Sequence, residues 1–452
     1  SLAKKYVDFH LKYLKEHPEF HDKVEFEVVP TCFTFTFSEW KKRFKNSGNF
    51  TTKEINKLEH ELKAITRNAI KGAHNAESNI FKLSKRNSLI KQMNIHPISK
   101  ALFLLKDSKK FGTVSFSHLA RDGFVAATIL KSAVKKGIIS LTAMDEFMSK
   151  VKTVTHDLTH DAGKVKAGRR NWKNFVDDYG HLRPDTYNIS SPCYSSNPDF
   201  FLRPIVDNHK KVNKRNNYKK WNKEKKHLFS NLIEAGIIKD SSNFENFLVK
   251  SIEGREYAKF IFTRNLSNAI ELIADHAKKY GFSRDEIGRV PLEIFSEFDK
   301  DRSNYLFVKR AKKAISEDLK TEKIVKNIEL PPLIFSTNDF DSFLLPKTLG
   351  NFIGDKKIIK ECISLDHSDD NINLENKIII IEKADPGYDW IFGRNIAGLI
   401  TKFGGANSHM AIRSAEFGLP AVIGIGEQLY NEVSAACIVE IDCKNQTLRK
   451  VR

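Results

Sequence analysis

A chain of 452 residues is too long for a single hydrophobic core, and two or three domains are expected. Hydrophobic residues make up 40% and aromatic residues 11%, enough for real cores, which excludes wholesale disorder. The formal net charge of +19 comes from 75 Lys+Arg against 56 Asp+Glu and would suit a polyanion, but without an aromatic-basic module of the K/R-G-F/Y-G-F kind no nucleic-acid partner is expected.

No apolar run reaches bilayer length and no charged-then-apolar leader opens the sequence, so no membrane association is expected. The chain begins at Ser1-Leu2-Ala3-Lys4 and runs straight into an amphipathic pattern, as a piece of a longer protein would. Cys32, Cys193, Cys362, Cys437 and Cys443 are scattered, with no zinc-site spacing. A disulfide framework is improbable in a chain this large, and a reducing cytoplasm fits best.

Residues 1–17 place Leu2, Tyr6, Phe9, Leu11 and Tyr13 among lysines, an amphipathic helix closed before Pro18. Residues 24–37 alternate Val, Phe and Thr and read as one or two strands. Thr51 and Glu54 have capping-box spacing, opening a helix that should run through Leu58, Leu62 and Ile65 to Gly72. Further helices are expected over 115–137, 141–166, 221–235 and 244–280, the last long enough to suspect a kink near Gly254. Ser283 and Glu286 form a second capping box. Residues 327–350, with Pro331, Pro332, Pro346 and Gly350, break the rhythm as a hinge or linker. Strand-like runs follow at 377–381, 397–401, 421–425, 437–441 and 447–451, a compact α/β region of about 110 residues. The expected class is α+β multidomain. A small α/β segment spans 1–45, a mainly helical region 46–330, a linker 331–350 and a compact α/β domain 351–452.

The sharpest chemistry lies in Thr401-Lys402-Phe403-Gly404-Gly405-Ala406-Asn407-Ser408-His409. An apolar strand leads into adjacent glycines, and a Ser-His pair then opens a short helix. Glycine lets backbone approach an anion closely, and the first helical turn offers unpaired N–H groups to phosphate. A histidine there can meet a phosphoryl group and accept it covalently. Adjacent helical residues do not face one another, so Ser408 reads as an N-cap rather than half of a hydrolase pair.

Two other groups are weaker. His156-Asp157-Leu158-Thr159-His160 imitates a zinc motif, but it has Asp where the base is a Glu and no clear third ligand, and no metal is expected. Tyr179 to Tyr187 gathers His181, Arg183, Asp185 and Tyr187 in a loop-like stretch. An Arg fork suits carboxylate or phosphate, and His or Asp can deprotonate an acceptor. The ordinary alternative is an interhelix turn whose polar groups satisfy backbone. Arg255 and Arg264, nine residues apart on a helix, are candidates for substrate or phosphate.

The order of strand, glycine pair, Ser408-His409, short helix and Gly418-Leu419-Pro420-Ala421-Val422-Ile423-Gly424 resembles the phosphohistidine swivelling domain of PEP-utilising enzymes. Their signature is T-x-x-G-G-x-x-S-H-x-A followed by G-x-P-A-V-x-G. The segments 21–26, 111–113, 179–184, 255–260 and 384–392 resemble a phosphoenolpyruvate synthase-like subgroup, so the resemblance covers most of the chain. It implies that His409 carries a phosphoryl group, with Thr401, Gly404, Gly405 and Ser408 around the phosphate. It also implies an N-terminal ATP-grasp domain that binds ATP and Mg, with AMP and phosphate as products. Relatives usually carry an arginine at the position of Ala415. Here Arg413, four residues past His409, is the candidate on the same helix face. Related acceptors include water, pyruvate, an antibiotic hydroxyl and an amide. L-glutamine is the expected small-molecule acceptor, with His181 or Asp185 as base and Arg183, Tyr187, Arg255 and Arg264 as substrate contacts. No (β/α)8 barrel is predicted, because the required alternation is absent.

Overall fold

The computed structural model describes residues 1–21, 24–72, 76–152, 154–208, 218–325, 328, 330, 333–340, 350–365, 372–405 and 408–452. Most of the linker predicted at 331–350 lies outside them, as do Ala406 and Asn407. The protein is mostly helical, with a mixed sheet confined to the C-terminal hundred or so residues, in keeping with an α+β class. No described helix is long and apolar enough to cross a membrane. The chain forms two compact units. One comprises 1–82, 111–157 and 212–261, and the other 83–110, 158–211 and 262–452.

The first unit is helical. Its helix Thr52–Lys71 starts on the Thr51–Glu54 capping box and stops at Gly72, whose φ of 65° is cheap only without a Cβ. Leu2–Glu16 and Val114–Lys135 form as expected. Trp221 is fully buried at the centre of the core, its ring 4.6 Å from Phe147 and its Nε1 donating to Glu245 at 3.0 Å. The predicted helix over 141–166 is two helices, Leu141–Lys150 and Val154–Lys166.

Residues 24–37 are not strands. A short wide turn covers Val24–Val28, and an irregular segment leads to the helix Phe37–Ser47. Phe33 and Phe37 are buried among helices, so the apolar positions find a core without a sheet. The backbone finds acceptors elsewhere: Phe33 N–H donates to Thr66 Oγ1 at 2.8 Å and Phe35 N–H to Ser132 Oγ at 3.2 Å. Side chains of two helices thus take the place of a partner strand.

In the second unit, helices of 83–110 and 262–325 enclose a core around Phe298 and Phe307. The seven-stranded sheet comprises β1 (Asn351–Ile353), β2 (Lys357–Ser364), β3 (Ile378–Lys383), β4 (Gly398–Phe403), β5 (Ala421–Ile423), β6 (Ile438–Asp442) and β7 (Thr447–Lys450). Its order is β1-β5-β4-β3-β2-β6-β7. The central strands β2, β3, β4 and β5 are mutually parallel, and β1, β6 and β7 run antiparallel to their neighbours. Burial on both faces explains why Ile378 to Ile381 is an unbroken apolar run.

Two buried histidines tie this packing to pH. His10 lies in an aromatic nest with Tyr6, Phe9 and Phe44, and His276 in one with Phe298 and Phe307. Burial, reinforced by nearby positive charges, lowers each to about 4. Between pH 6.5 and 4 the unfolded chain therefore binds protons the native state refuses. Stability present above 6.5 is lost as the pH falls through that window, by up to about 2–3 kcal/mol per histidine. Urea midpoints over this range should fall more steeply for the wild type than for His276→Phe, and parallel curves would contradict the assignment.

Candidate phosphohistidine site

Parallel strands β3 and β4 are adjacent, with Ile380 opposite Ile400, so the crossovers leaving their carboxyl ends emerge side by side. Beyond β3 comes the 3-10 helix Pro386–Arg394, and beyond β4 the glycine turn and the helix His409–Glu416. The carboxyl end of a parallel sheet is where open α/β folds place ligands. Here it joins two residues twenty positions apart: His409 Nε2 lies 2.7 Å from Asp389 Oδ1.

His409 is the first residue of its helix, and Ser408 is the N-cap, its Oγ accepting from Ala411 N–H at 3.3 Å. Arg413, one turn on, reaches the same oxygen of Asp389 with Nε at 3.3 Å, and Nη1 donates to Glu416 at 2.8 Å. The guanidinium lies over Phe417 at 4.7 Å and Phe392 at 5.4 Å. Burial alone would raise the Asp389 carboxyl. The charges of His409 and Arg413, with their hydrogen bonds, outweigh it and hold the group below the ordinary value. An ionised carboxylate only accepts, so the contact puts a proton on His409 Nε2. The side chain of His409 is 13% exposed.

The glycine turn is fixed by backbone packing. Thr401 is fully buried, and its Oγ1 accepts from Gly424 N–H at 3.0 Å and donates to the Phe403 carbonyl at 2.9 Å. Gly424, at φ 74°, could not carry a Cβ, which would fall 2.1 Å from the Gly404 carbonyl oxygen. Thr401, Gly404 and Gly424 therefore lock the turn after β4. Gly405 has open space where its Cβ would be.

The stretch 179–187 lies against this end of the sheet. Thr186 Oγ1 donates to Asp385 at 2.5 Å, Lys383 Nζ pairs with Asp185 at 3.0 Å, and Tyr194 OH donates to the Gly387 carbonyl at 2.5 Å. Burial first, and then the negative charge of Asp389, hold the Tyr194 phenol well above its ordinary value, so it is a donor here. His181 is buried with Nδ1 3.1 Å from the Asp178 carbonyl, and Arg264 Nη2 donates to that same carbonyl at 3.3 Å. A carbonyl only accepts, so His181 Nδ1 carries the proton of that contact. Tyr187 is exposed.

Arg183 is placed differently from the expectation. Rather than presenting a fork to a ligand, its buried guanidinium donates to the carbonyls of Asn188, Ser191 and Ser267, to Ser267 Oγ and to Glu271. Every donor direction is taken by the protein itself. Arg255 belongs to the first unit, its guanidinium 5.4 Å from the Phe124 ring and 3.7 Å from Glu256. Among the described residues no group of three His, Cys, Asp or Glu is placed to hold a metal ion. In the imitation zinc motif, each histidine has the aspartate that follows it within 4 Å, His156 by Asp157 and His160 by Asp161. Asp389, Lys383 and Tyr194 were missed as site residues. The available signal was the 384–392 segment, which matched the subgroup without pointing to a role for its second aspartate.

A histidine that starts a helix after a strand and a glycine turn, clasped to a buried carboxylate and close to an arginine, is an arrangement able to accept a phosphoryl group. Residues 373–446 match the family model described as PEP-utilising enzyme, mobile domain. That family comprises phosphotransferases that work through a phosphohistidine. No curated protein matches the chain.

Proposed function

We propose that this chain carries a phosphoryl group on His409 from an ATP-using domain to a small-molecule acceptor. The observation that carries the reading is His409 at the head of its helix, after the Gly404-Gly405 turn, at the carboxyl end of a parallel sheet. The helix N-terminus favours phosphoryl oxygens and, taken alone, disfavours imidazolium. In this reading an ATP-grasp domain binding ATP and Mg charges His409, with AMP and phosphate as products, and residues 351–452 move as the carrier about the 331–350 linker.

The acceptor proposed is the amide nitrogen of L-glutamine, as in the L-glutamine kinase of capsule phosphoramidate synthesis. The N–P bond of phosphohistidine breaks, a P–N bond to the amide forms, and the amide gives a proton to a base. His181 or Asp185 would serve as that base. The full-length enzyme with ATP and a panel of acceptors should release AMP above background with L-glutamine. Release with pyruvate or an alcohol and none with L-glutamine would move the acceptor and leave the carrier; no release with any would remove the proposal.

A further inference from the structure

Cys362 and Cys437 lie far apart in sequence and face each other across the sheet. The antiparallel register of β2 with β6 pairs Lys360 with Val439 and Glu361 with Ile438. One step further along the same register sets Cys362 opposite Cys437, and the Cys362 N–H donates to the Cys437 carbonyl at 3.0 Å. Directly opposite residues of an antiparallel pair share a face and hold their Cα atoms about 4.5–5.5 Å apart. A disulfide needs roughly 4.4–6.8 Å. The backbone spacing for a cross-strand bridge is therefore already in place.

The side chains agree with the register. Cys362 packs with Ile358 on the cluster that holds Val439 and Ile441, so alternate residues of both strands face the helix Glu427–Ser434. Its Sγ donates to the carbonyl of Ala436, the residue before Cys437, at 3.0 Å. Both cysteines are free thiols, Cys437 exposed and Cys362 half-buried. Burial first, and then the charge of Cys437, push the Cys362 thiol above its ordinary value. Cys32, Cys193 and Cys443 are buried. The pair thus joins one cysteine open to an oxidant in solution with a second one opposite it.

We propose that Cys362 and Cys437 form a reversible disulfide that clasps β2 to β6, the oxidant being a low-molecular-weight disulfide such as glutathione disulfide. The Cys437 thiolate attacks one sulfur of glutathione disulfide, giving a mixed disulfide and one glutathione thiolate. Cys362, its proton lost to solvent, then attacks the Cys437 sulfur; the mixed S–S bond breaks and the second glutathione leaves. Two protein thiols are oxidised, one glutathione disulfide is reduced to two thiols, and the protons given up by the cysteines end on glutathione. The chain closed by this bridge runs through β3, Asp389, β4 and His409, so the clasp encloses the whole carrier site. Such a cross-link acts mainly by removing freedom from the open states of the segment it closes. At a reducing glutathione poise the dithiol is the resting form, and a rise in the oxidised fraction makes the bridge.

The experiment equilibrates the full-length protein at graded ratios of reduced to oxidised glutathione, quenches with acid, alkylates and maps peptides by mass without reduction. The expected result is a cross-linked Cys362–Cys437 peptide that dithiothreitol reverses, with Cys32, Cys193 and Cys443 never part of a bridge. Cys362→Ser should hold glutathione on Cys437 for want of the second thiol. Cys437→Ser should slow the modification of Cys362 at least tenfold. Amide exchange in β2 and β6 should be at least tenfold slower in the bridged protein than in the reduced one. A wild-type protein that keeps glutathione on Cys437, bridges to another cysteine, or stays reduced in the most oxidising mixture would overturn the proposal. So would unchanged exchange, which would leave a bridge that clasps nothing. No readout uses ATP or an acceptor, so each is separate from the charging of His409.

Discussion

Replacing Asp389 by alanine is expected to lower the stability of the C-terminal sheet by about 3 kcal/mol. The carboxylate is 5% exposed and receives both His409 and Arg413 on one oxygen. Removing it leaves an arginine charge in a nearly closed site with, among the described residues, Glu416 as its remaining counter-ion, and a histidine whose Nε2 proton has lost its acceptor. Loss of one partner of a buried pair costs more than the pair itself contributes, because the survivor stays desolvated. Hydrogen exchange in β3 and β4 reads the loss directly, and Asp389→Asn, which keeps the volume, should fall between the two. The effect has a pH signature. The folded-state value of Asp389 lies below the ordinary 3.8, so its contribution is fully present above that and is lost as the pH falls through the depressed value. The gap between wild type and Asp389→Ala should therefore be constant at neutral pH and close only in strong acid. Protection of β3 and β4 unchanged at pH 7 would show that the clasp contributes nothing.

Gly387→Ala should separate the sheet from the loop that faces it. A Cβ at Gly387 would stand 1.4 Å from the Arg183 carbonyl oxygen, 2.3 Å from its carbon and 2.9 Å from Pro184 Cα. All three are main-chain or ring-anchored atoms, so no rotamer change makes room. Arg183 cannot yield either, since its guanidinium is tied to three backbone carbonyls and Glu271. Overpacking of this kind costs at least about 1–3 kcal/mol. The cheapest escape is loss of the bonds from Thr186 to Asp385 and from Tyr194 to Gly387. Exchange should rise in 180–196 and 384–394 while the helical core around Phe307 keeps its protection. If the loop holds the acceptor-side base, His409 should still be charged by ATP while transfer to the acceptor falls at least tenfold. An undisturbed loop with normal transfer would contradict that reading.

What the sequence disclosed follows the range of the interactions involved. The helix at 52–71 was legible because its start and stop are local: Thr51 and Glu54 answer each other three residues apart, and Gly72 takes the left-handed turn. The central strands were legible because two-sided burial leaves unbroken apolar runs. The stretch 24–37 misled because its alternation is local while the groups that satisfy its backbone, Thr66 and Ser132, lie 33 and 97 residues away. Arg183 misled for a related reason: a fork aimed at a ligand and a fork aimed at backbone carbonyls look the same in sequence. His409 stood out from its spacing, and the same-face reading of Arg413 is matched by their shared contact with Asp389. The aspartate itself could not be assigned, because the parallel register of β3 and β4 is what brings it there.

The central claim is that His409 is the covalent carrier, and the direct measurement is the intact mass of the full-length protein after incubation with ATP and Mg. The account expects one added phosphoryl group, lost in acid, stable in base and mapped by fragmentation to His409. An added phosphate that persists in His409→Ala, or that survives acid, would contradict it.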